Sequence, residues 1–453
     1  MRPILLLYIL SFSLPGNAQK QFSKEELLNV VKQFHPIAKQ AMIDVKIAEA
    51  GITSARGLFD PVISTVTEQK EWQGITYYDQ QQTNLSIPVW YGININTGSE
   101  TIRGDKINPE ETKGSINYVS VSVPLIQNFI IDKRKAIIQQ SKLLREETDA
   151  NRRKIINDLL YEAIAAYWEW WEQHKTLEII KGSVKNAEQR LQMVRNAYLL
   201  GERPAVDTIE SLAQLETLRQ NEAEAMMELL RKRLTVSLYL WTKDETPYEL
   251  PEDVAPAEPR NEMIVLDSVL SSAGLHPEMQ AYEYKLRSLS IERKLKLQAL
   301  VPAVNFKYNH SGTEIAQTIT GAWNNNYRLG LSVAIPLRFS EARGDYRAAK
   351  LKLNQVKLAQ DNKLLQLQNK VKQYYTEWQQ AIQQLAIQKT LVNHFTALQK
   401  AEETRFFNGE SSMFLVNVRE IKKLEAIQKR IAFEAKQQKS SAAILWAAAL
   451  LHR

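Results

Sequence analysis

Histidine is the side chain best suited to acid–base or metal chemistry near neutral pH. This chain has six, His35, His174, His276, His310, His394 and His452. They are scattered through the sequence, and no metal-ligand spacing joins them. The carboxylates stand among Lys and Arg in helix-forming stretches, as on solvated helix faces. No nucleophile motif and no phosphate loop is present. No catalytic, cofactor-binding or metal site is therefore expected, and an enzymatic reading finds no support. His35 and His276 each precede a proline, at equivalent places in two halves of the chain. That placement points to a structural role at helix starts.

The elements that surround these residues are more informative than the residues themselves. The chain has 453 residues, a net charge of +7 and no cysteine. The charge is spread along helical stretches, with no basic arm for nucleic acid. Arg2, the apolar run Ile4 to Leu14 and the small residues Gly16-Asn17-Ala18 have the layout of a secretory signal peptide, cut after Ala18. The alternative is an N-terminal anchor, but so short a run falls below the roughly 20 residues that span a bilayer. Without cysteine, an exported chain depends on packing or assembly rather than disulfides, and it has no site for an N-terminal lipid. No later segment is apolar for long enough to form a membrane helix. Entry into a membrane would then require a closed β-barrel, because only helices and barrels satisfy the backbone in lipid.

The chain reads as a duplication. His35-Pro36 matches His276-Pro277, and each lies 26 residues before a second proline, Pro61 or Pro302. Ser120-Val121-Ser122-Val123-Pro124-Leu125 matches Leu331-Ser332-Val333-Ala334-Ile335-Pro336-Leu337. Tyr198-Leu199-Leu200-Gly201-Glu202 matches Phe406-Phe407-Asn408-Gly409-Glu410. Each half is predicted as helix, strands, long helix, Gly turn, long helix. The expected boundaries are a leader at 1–18, a first repeat at 19–241, a Pro-rich linker at 242–261 and a second repeat at 262–453. Strands are expected at about 62–124 and 302–336, and helical hairpins at about 131–241 and 341–451.

The hairpins show heptad spacing. Leu177, Ile180, Val184, Ala187, Leu191, Val194 and Tyr198 step by 3 and 4. A helix of about 70 residues is about 100 Å long, more than a globular domain needs. The last helix keeps the spacing with Ile421, Leu424, Gln428, Ile431, Ala435 and Gln438. Burying those amides in a two-stranded rod is costly, whereas helices walling a water-filled tube need not bury them. Periodicity alone also fits a soluble coiled coil.

The strands favour a barrel. Tyr327, Leu329, Leu331, Val333 and Ile335 alternate with Arg328, Gly330, Ser332 and Ala334. Val119, Val121 and Val123 alternate with serines, and Val304, Phe306 and Tyr308 with Asn and Lys. This is the pattern of a transmembrane β-barrel; a half-buried soluble sheet is the alternative. Flanking helices on one side of a membrane require an even number of crossings per half. Segments 62–72, 84–97 and 116–124 would give three, so a turn at Pro88 to Gly92 is expected to split the middle one. The alternative leaves that segment outside the membrane.

The two His-Pro helix starts, the Val-Ser-Val-Pro-Leu and Val-Ala-Ile-Pro-Leu strand ends and the two aromatic-x-x-Gly-Glu turns together resemble the TolC-like outer membrane efflux protein family, over essentially the whole mature chain. The resemblance implies a mainly α fold with β: a homotrimeric channel-tunnel with one shared transmembrane β-barrel and a long periplasmic α-helical barrel. It implies an exit duct for efflux or type I secretion, without cofactor, that works with a periplasmic adaptor (membrane fusion) protein and an inner-membrane transporter. In such a family the turns Gly201-Glu202 and Gly409-Glu410 meet the adaptor, and acidic residues after the glycines line the entrance. Asp207 stands where the first-repeat aspartate is expected. The second repeat has no aspartate there, and Asn417 is the nearest polar candidate. The entrance is thus expected to rest on Arg203, Asp207 and Asn417; alternatively, Asp207 only favours its helix start by charge. The rival functions are the adaptor itself, which would carry one hairpin and an anchor, and a soluble coiled-coil scaffold, which leaves the alternating strands unexplained.

Overall fold

The computed structural model describes residues 21–452 except 109–110, 130, 261–262, 315–317 and 319–325. The expected leader at 1–18 lies outside the described residues. In chain order the principal elements are β1 (Gln21–Phe22), α1 (Lys24–Phe34), α2 (Pro36–Arg56), β2 (Val62–Trp72), β3 (Ile75–Pro88), β4 (Asn94–Arg103), β5 (Gly114–Pro124), α3 (Lys133–Leu199) and α4 (Ala205–Ser237). They continue with β6 (Ala255–Pro256), α5 (Leu266–Ser272), α6 (Pro277–Gln298), β7 (Ala303–Gly312), β8 (Tyr327–Ala334), α7 (Ser340–Phe407) and α8 (Met413–Ala447). The fold is mainly α with one substantial sheet. It forms two compact units, and each draws on both halves of the sequence. A helical unit comprises 21–40, 155–273 and 367–452, and a sheet unit comprises 41–154 and 274–366.

The helical unit is built on the apolar seam of α3. Leu177, Ile180, Val184, Ala187, Leu191 and Val194 are all buried, and Leu215 and Leu218 of α4 pack against that row. Tyr198, the last member of the expected heptad, is instead 46% exposed. It sits in the final turn of α3, before the chain reverses. Further along α3, Tyr167, Trp168, Trp170 and Trp171 fill a core with Leu27 and Val31 of α1 and Ile431 and Ala435 of α8. Buried aromatics of this size dominate core energetics. The Tyr167 hydroxyl donates to the Phe22 carbonyl at 2.8 Å and accepts from the Ala257 N–H at 2.9 Å. It thereby fastens the parallel pair β1–β6, and β6 comes from the stretch read as an irregular linker. Burial pushes the Tyr167 hydroxyl well above its usual pKa, so it stays a donor.

On α8, Leu424, Ile431, Ala435 and Gln438 are buried as the spacing requires, but Ile421 is 38% exposed. The Gln438 amide donates to the Arg260 carbonyl at 3.2 Å. Its burial is therefore compensated inside the chain by the linker backbone.

The sheet unit holds a six-stranded antiparallel sheet in the order β2-β3-β4-β5-β7-β8. The middle apolar segment forms two strands, β3 from Ile75 and β4 to Arg103, rather than one over 84–97. The expected turn separates them: Tyr91 and Gly92 take φ of 63° and 75°. A side chain at Gly92 would meet Pro124 Cγ at 2.7 Å, so both conformation and space select glycine there. Buried Asp132, just before α3, accepts from the Gly92 N–H at 3.2 Å and the Arg134 N–H at 2.9 Å. It joins the turn to the helix start. The segment is thus inside the sheet, between β2 and β5, which answers the parity requirement with four strands from the first half and two from the second.

Register sorts the two faces. Ile87, Ile95, Val121, Tyr308 and Leu329 lie opposite one another across five successive strands. One residue along, Ser86, Asn96, Ser120, Asn309 and Arg328 form the next row. Because the side-chain period is 2, these rows occupy opposite faces. The apolar face continues through Ile63 beside Leu85, Val123 beside Phe306, and Phe306 beside Leu331. The other face carries Asn84, Gly98 and Tyr118 in one row. There the Tyr118 hydroxyl donates to Asn84 Oδ1 at 3.0 Å and accepts from Gln82 at 3.2 Å, with its ring end over Gly98. Val62 and Val66 of β2, Ile102 of β4 and Ile116 of β5 are exceptions on this face.

The two His-Pro pairs do the same work. His35 Nδ1 accepts the Ile37 N–H at 3.2 Å, and His276 Nδ1 accepts the Glu278 N–H at 3.1 Å. In each case a proline sits at the first helical position, where no donor is needed. Both histidines are caps that must be unprotonated at Nδ1, and burial lowers the pKa of His35 from its ordinary 6.5. The unfolded chain then binds the proton more readily, so this stabilisation is complete above about pH 6.5 and is lost as pH falls below it. His35→Ala should lose about 1 kcal/mol at pH 8, and His35→Asn should keep most of the cap. In denaturant titrations at pH 8 and pH 5.5, the Asn variant should also show a smaller acid loss than the parent chain. Equal acid losses would remove His35 as the titrating cap.

Candidate functional site

The residues singled out in the sequence converge on the two reversals that end α3 and α7, both within the helical unit. Each helix closes with a Schellman motif. The Gly201 N–H donates to the Tyr198 carbonyl at 2.9 Å, and the Glu202 N–H donates to the Ala197 carbonyl at 2.9 Å. The second turn repeats this with Gly409 to Phe406 at 3.0 Å and Glu410 to Arg405 at 2.9 Å. The glycines take φ of +75° and +81°. The sequence spacing therefore identified the C′ residue of each helix. Pro204 and Ser412 then precede the return helices α4 and α8.

The two turns touch. The Arg203 guanidinium lies 4.1 Å from the centre of the Phe406 ring and donates to the Phe406 carbonyl. Phe406 is itself buried with Val194, Met413 and Val416, so this small core ties α3, the second turn and α8 together. Glu402 of α7 accepts from Ser411 Oγ at 2.5 Å and faces Arg405 and Arg419. The Ser411 bond, followed by the two arginines, holds its carboxyl below the usual carboxylate range.

Asp207 and Asn417 are buried at 8% and 4% exposure. Asn417 Nδ2 donates to the Glu210 carbonyl at 3.3 Å, one turn beyond Asp207 on α4. Ser211 and Gln214 of α4 and Glu420 of α8 are buried as well. Arg190 of α3 meets Glu420 at 2.6 Å with both side chains largely enclosed. A strip of polar side chains thus runs between α3, α4 and α8 where a coiled coil ordinarily places apolar ones. Gln214 Nε2 and Asn417 Oδ1 have no hydrogen-bond partner among the described residues, which makes this strip weaker packing than the seam above it. Of the three expected entrance residues, the structure brings Asn417 to the α4 backbone, encloses Asp207 beside it and directs Arg203 to Phe406.

Sequence reasoning missed the apolar surface around the turns. Leu199 and Leu200 are 80% and 74% exposed, Val206 and Ile209 62% and 67%, and Phe407 and Phe414 61% and 59%. Exposed apolar groups gathered in one place mark contact surfaces. The signal was present as apolar residues out of phase with the buried seam.

Residues 271–449 match the family model of the outer membrane efflux proteins. No curated protein matches the chain in sequence. Among solved structures, the Campylobacter jejuni CmeC outer membrane channel is similar at a TM-score of 0.67 and 10% identity, over 94% of this chain and 85% of that one. The open state of the Neisseria gonorrhoeae MtrE outer membrane channel gives 0.67 and 12%, over 94% and 88%. The Vibrio cholerae outer membrane protein VceC gives 0.66 and 11%, over 94% and 96%. The fold of the described residues, across both halves of the sequence, is accordingly that of the TolC-like outer membrane channels. The resemblance drawn from the paired motifs holds, with its family match on the second half.

At both turns a Cβ on the glycine would meet no other atom within 4 Å. A substitution there costs only the left-handed conformation, roughly 1–2 kcal/mol for alanine. Thermal unfolding of Gly201→Ala and Gly409→Ala should show that loss in each, with Asn at either position losing less. An unchanged melting temperature in the alanine variants would contradict the positive φ.

Proposed function

We propose that the chain is the outer-membrane exit duct of a tripartite efflux or type I secretion pump, a passive channel working as a homotrimer. The observation that carries this reading is the sheet: its register puts Ile, Leu, Val and Tyr on one face and Ser, Asn, Lys and Arg on the other, in a chain with an outer membrane channel's fold. The apolar face meets lipid and the polar face lines the pore. No helix among the described residues is long and apolar enough to cross a membrane, so crossing falls to the strands. The alternating faces disfavour an adaptor or a soluble scaffold, neither of which needs them.

The turns at Gly201-Glu202 and Gly409-Glu410 are assigned to the periplasmic adaptor. What supports this is the exposed apolar group around them together with the rigid hydrogen-bonded reversals. The strip containing Asp207 and Asn417, with Arg203 above it, is assigned to the periplasmic entrance. Its buried polar atoms make separating α4 from α8 less costly than opening an apolar seam, as an entrance that opens requires. The two sequence repeats at 19–241 and 262–453 are assigned to duplication of one helix–strand–hairpin unit.

Two variants test the reading in one experiment. Leu331→Arg puts a cation on the lipid face and should cost about 2–4 kcal/mol, lowering the outer-membrane trimer, while Ser332→Arg faces water and assembles. Phe414→Asp should leave the trimer intact but reduce cross-linking to the adaptor and export. Equal assembly of the two arginine variants would refute the lipid face. Unchanged cross-linking of the Phe414 variant would move the adaptor elsewhere.

A further inference from the structure

The polar face of the sheet carries two cations on neighbouring strands. Lys307 of β7 lies opposite Ser122 of β5 and Gly330 of β8. Arg328 of β8 lies opposite Asn309 of β7, which lies opposite Ser120. Each cation is two residues from the other's cross-strand partner, so both project from the same face. They are diagonal neighbours, about 7–8 Å apart. Both are exposed, and neither has an ion-pair partner among the described residues. The positions around them on that face are Ser120, Ser122, Asn305, Asn309, Gly330 and Ser332, all uncharged. Like charges close together on facing strands repel, so cohesion of the sheet does not explain them.

The acids of that face stand apart. Asn96 shares the row of Arg328 through Ser120 and Asn309, and Glu100 of β4 is four residues beyond it. Glu68 of β2 lies opposite Gln80, in the row of Ile102, six residues beyond Asn96. At about 3.4 Å per residue these acids lie about 14 and 20 Å further along the strands. Both distances exceed the screening length of about 10 Å at 0.1 M salt. Glu100 is also engaged, accepting from Gln80 Nε2 at 2.6 Å. Arg134 brings a further guanidinium to the row of Lys307, donating to Asn94 Oδ1 at 3.0 Å, but Asp132 lies 3.4 Å from it and offsets its charge. Resting on the duct reading, we propose that Lys307 and Arg328 form a cationic girdle in the pore. It draws in solutes that bear carboxylate, sulfonate or phosphate groups and holds back organic cations. Rings of Arg and Lys select anions in this way. Every copy of the homotrimer contributes the same two cations, and low-dielectric walls focus their field on the pore.

The natural chain has no cysteine, so Gly330→Cys can report the potential between the two cations without background. A Cβ there meets nothing closer than the Lys307 carbonyl at 4.0 Å, so the probe fits. Its reaction rates with a sulfonate-bearing and a trimethylammonium-bearing methanethiosulfonate are compared on trimers in outer-membrane vesicles. Adding Lys307→Gln and Arg328→Gln should lower the sulfonate-to-ammonium rate ratio by roughly tenfold at low salt. Lys307→Arg with Arg328→Lys should keep the ratio, and added salt should shrink the difference. A ratio unchanged by the Gln pair, at a position that reacts with both reagents, would overturn the girdle and leave the duct reading standing. Failure of position 330 to react with either reagent would place its row away from water and overturn both.

Discussion

Backbone polar groups in a membrane have no water to turn to, so each N–H and C=O must be paired within the protein. In this chain that requirement falls on a single antiparallel ladder, and the ladder has a period of two. A slip of one residue at any pair would exchange the row Ile87, Ile95, Val121, Tyr308 and Leu329 for the row Ser86, Asn96, Ser120, Asn309 and Arg328. On the proposed membrane reading, register is specified by the cost of placing Asn309 and Arg328 against lipid. The devices that hold it are local: the left-handed Tyr91-Gly92 turn, the Asp132 carboxylate that seizes the Gly92 amide, and the Tyr118 side chain reaching across Gly98 to Asn84.

The helical unit answers a different constraint. Its long helices draw most of their stability from tertiary packing of an apolar stripe rather than from propensity. The buried row from Leu177 to Val194 provides that stripe, and the Trp-rich stretch of α3 anchors it to α1 and α8. Towards the turns the packing changes character. Apolar seam residues give way to Asp207, Gln214, Asn417 and Glu420, with Arg190 closing a buried pair. A buried pair of this kind contributes little net stability, although losing one partner is costly. The stretch therefore combines definite geometry with modest cohesion.

Much of this was legible in the residues. Pro36 and Pro277 marked helix starts, Gly201 and Gly409 marked helix ends, and the alternation from Tyr327 to Ile335 marked a strand with two unlike faces. The legible features are those a single residue type enforces, through a missing donor, a positive φ or a hydration preference. The early part of β3 was not legible, because Tyr77-Tyr78-Asp79-Gln80-Gln81-Gln82 has no apolar period. Its strand is imposed by pairing with β2, where Lys70 faces Tyr78 and Gln82 faces Val66. The polar strip near the turns was legible only in outline. Position alone pointed to Asp207 and Asn417, but nothing local shows that Arg203 stacks on a ring two hundred residues away, or that Gln438 finds the Arg260 carbonyl. Tyr198 and Ile421 continued the heptads in sequence but are exposed in the structure, Tyr198 in the last turn of its helix.

The separation of the two faces can be read directly in the membrane. Single cysteines placed at each position from Tyr327 to Ala334, in outer-membrane vesicles, can be titrated with a charged, membrane-impermeant thiol reagent. The account predicts an alternating profile: rapid labelling at 328, 330, 332 and 334 from the water-filled pore, and protection at 327, 329, 331 and 333 by lipid. Uniform labelling along the strand, or labelling with the opposite phase, would contradict it.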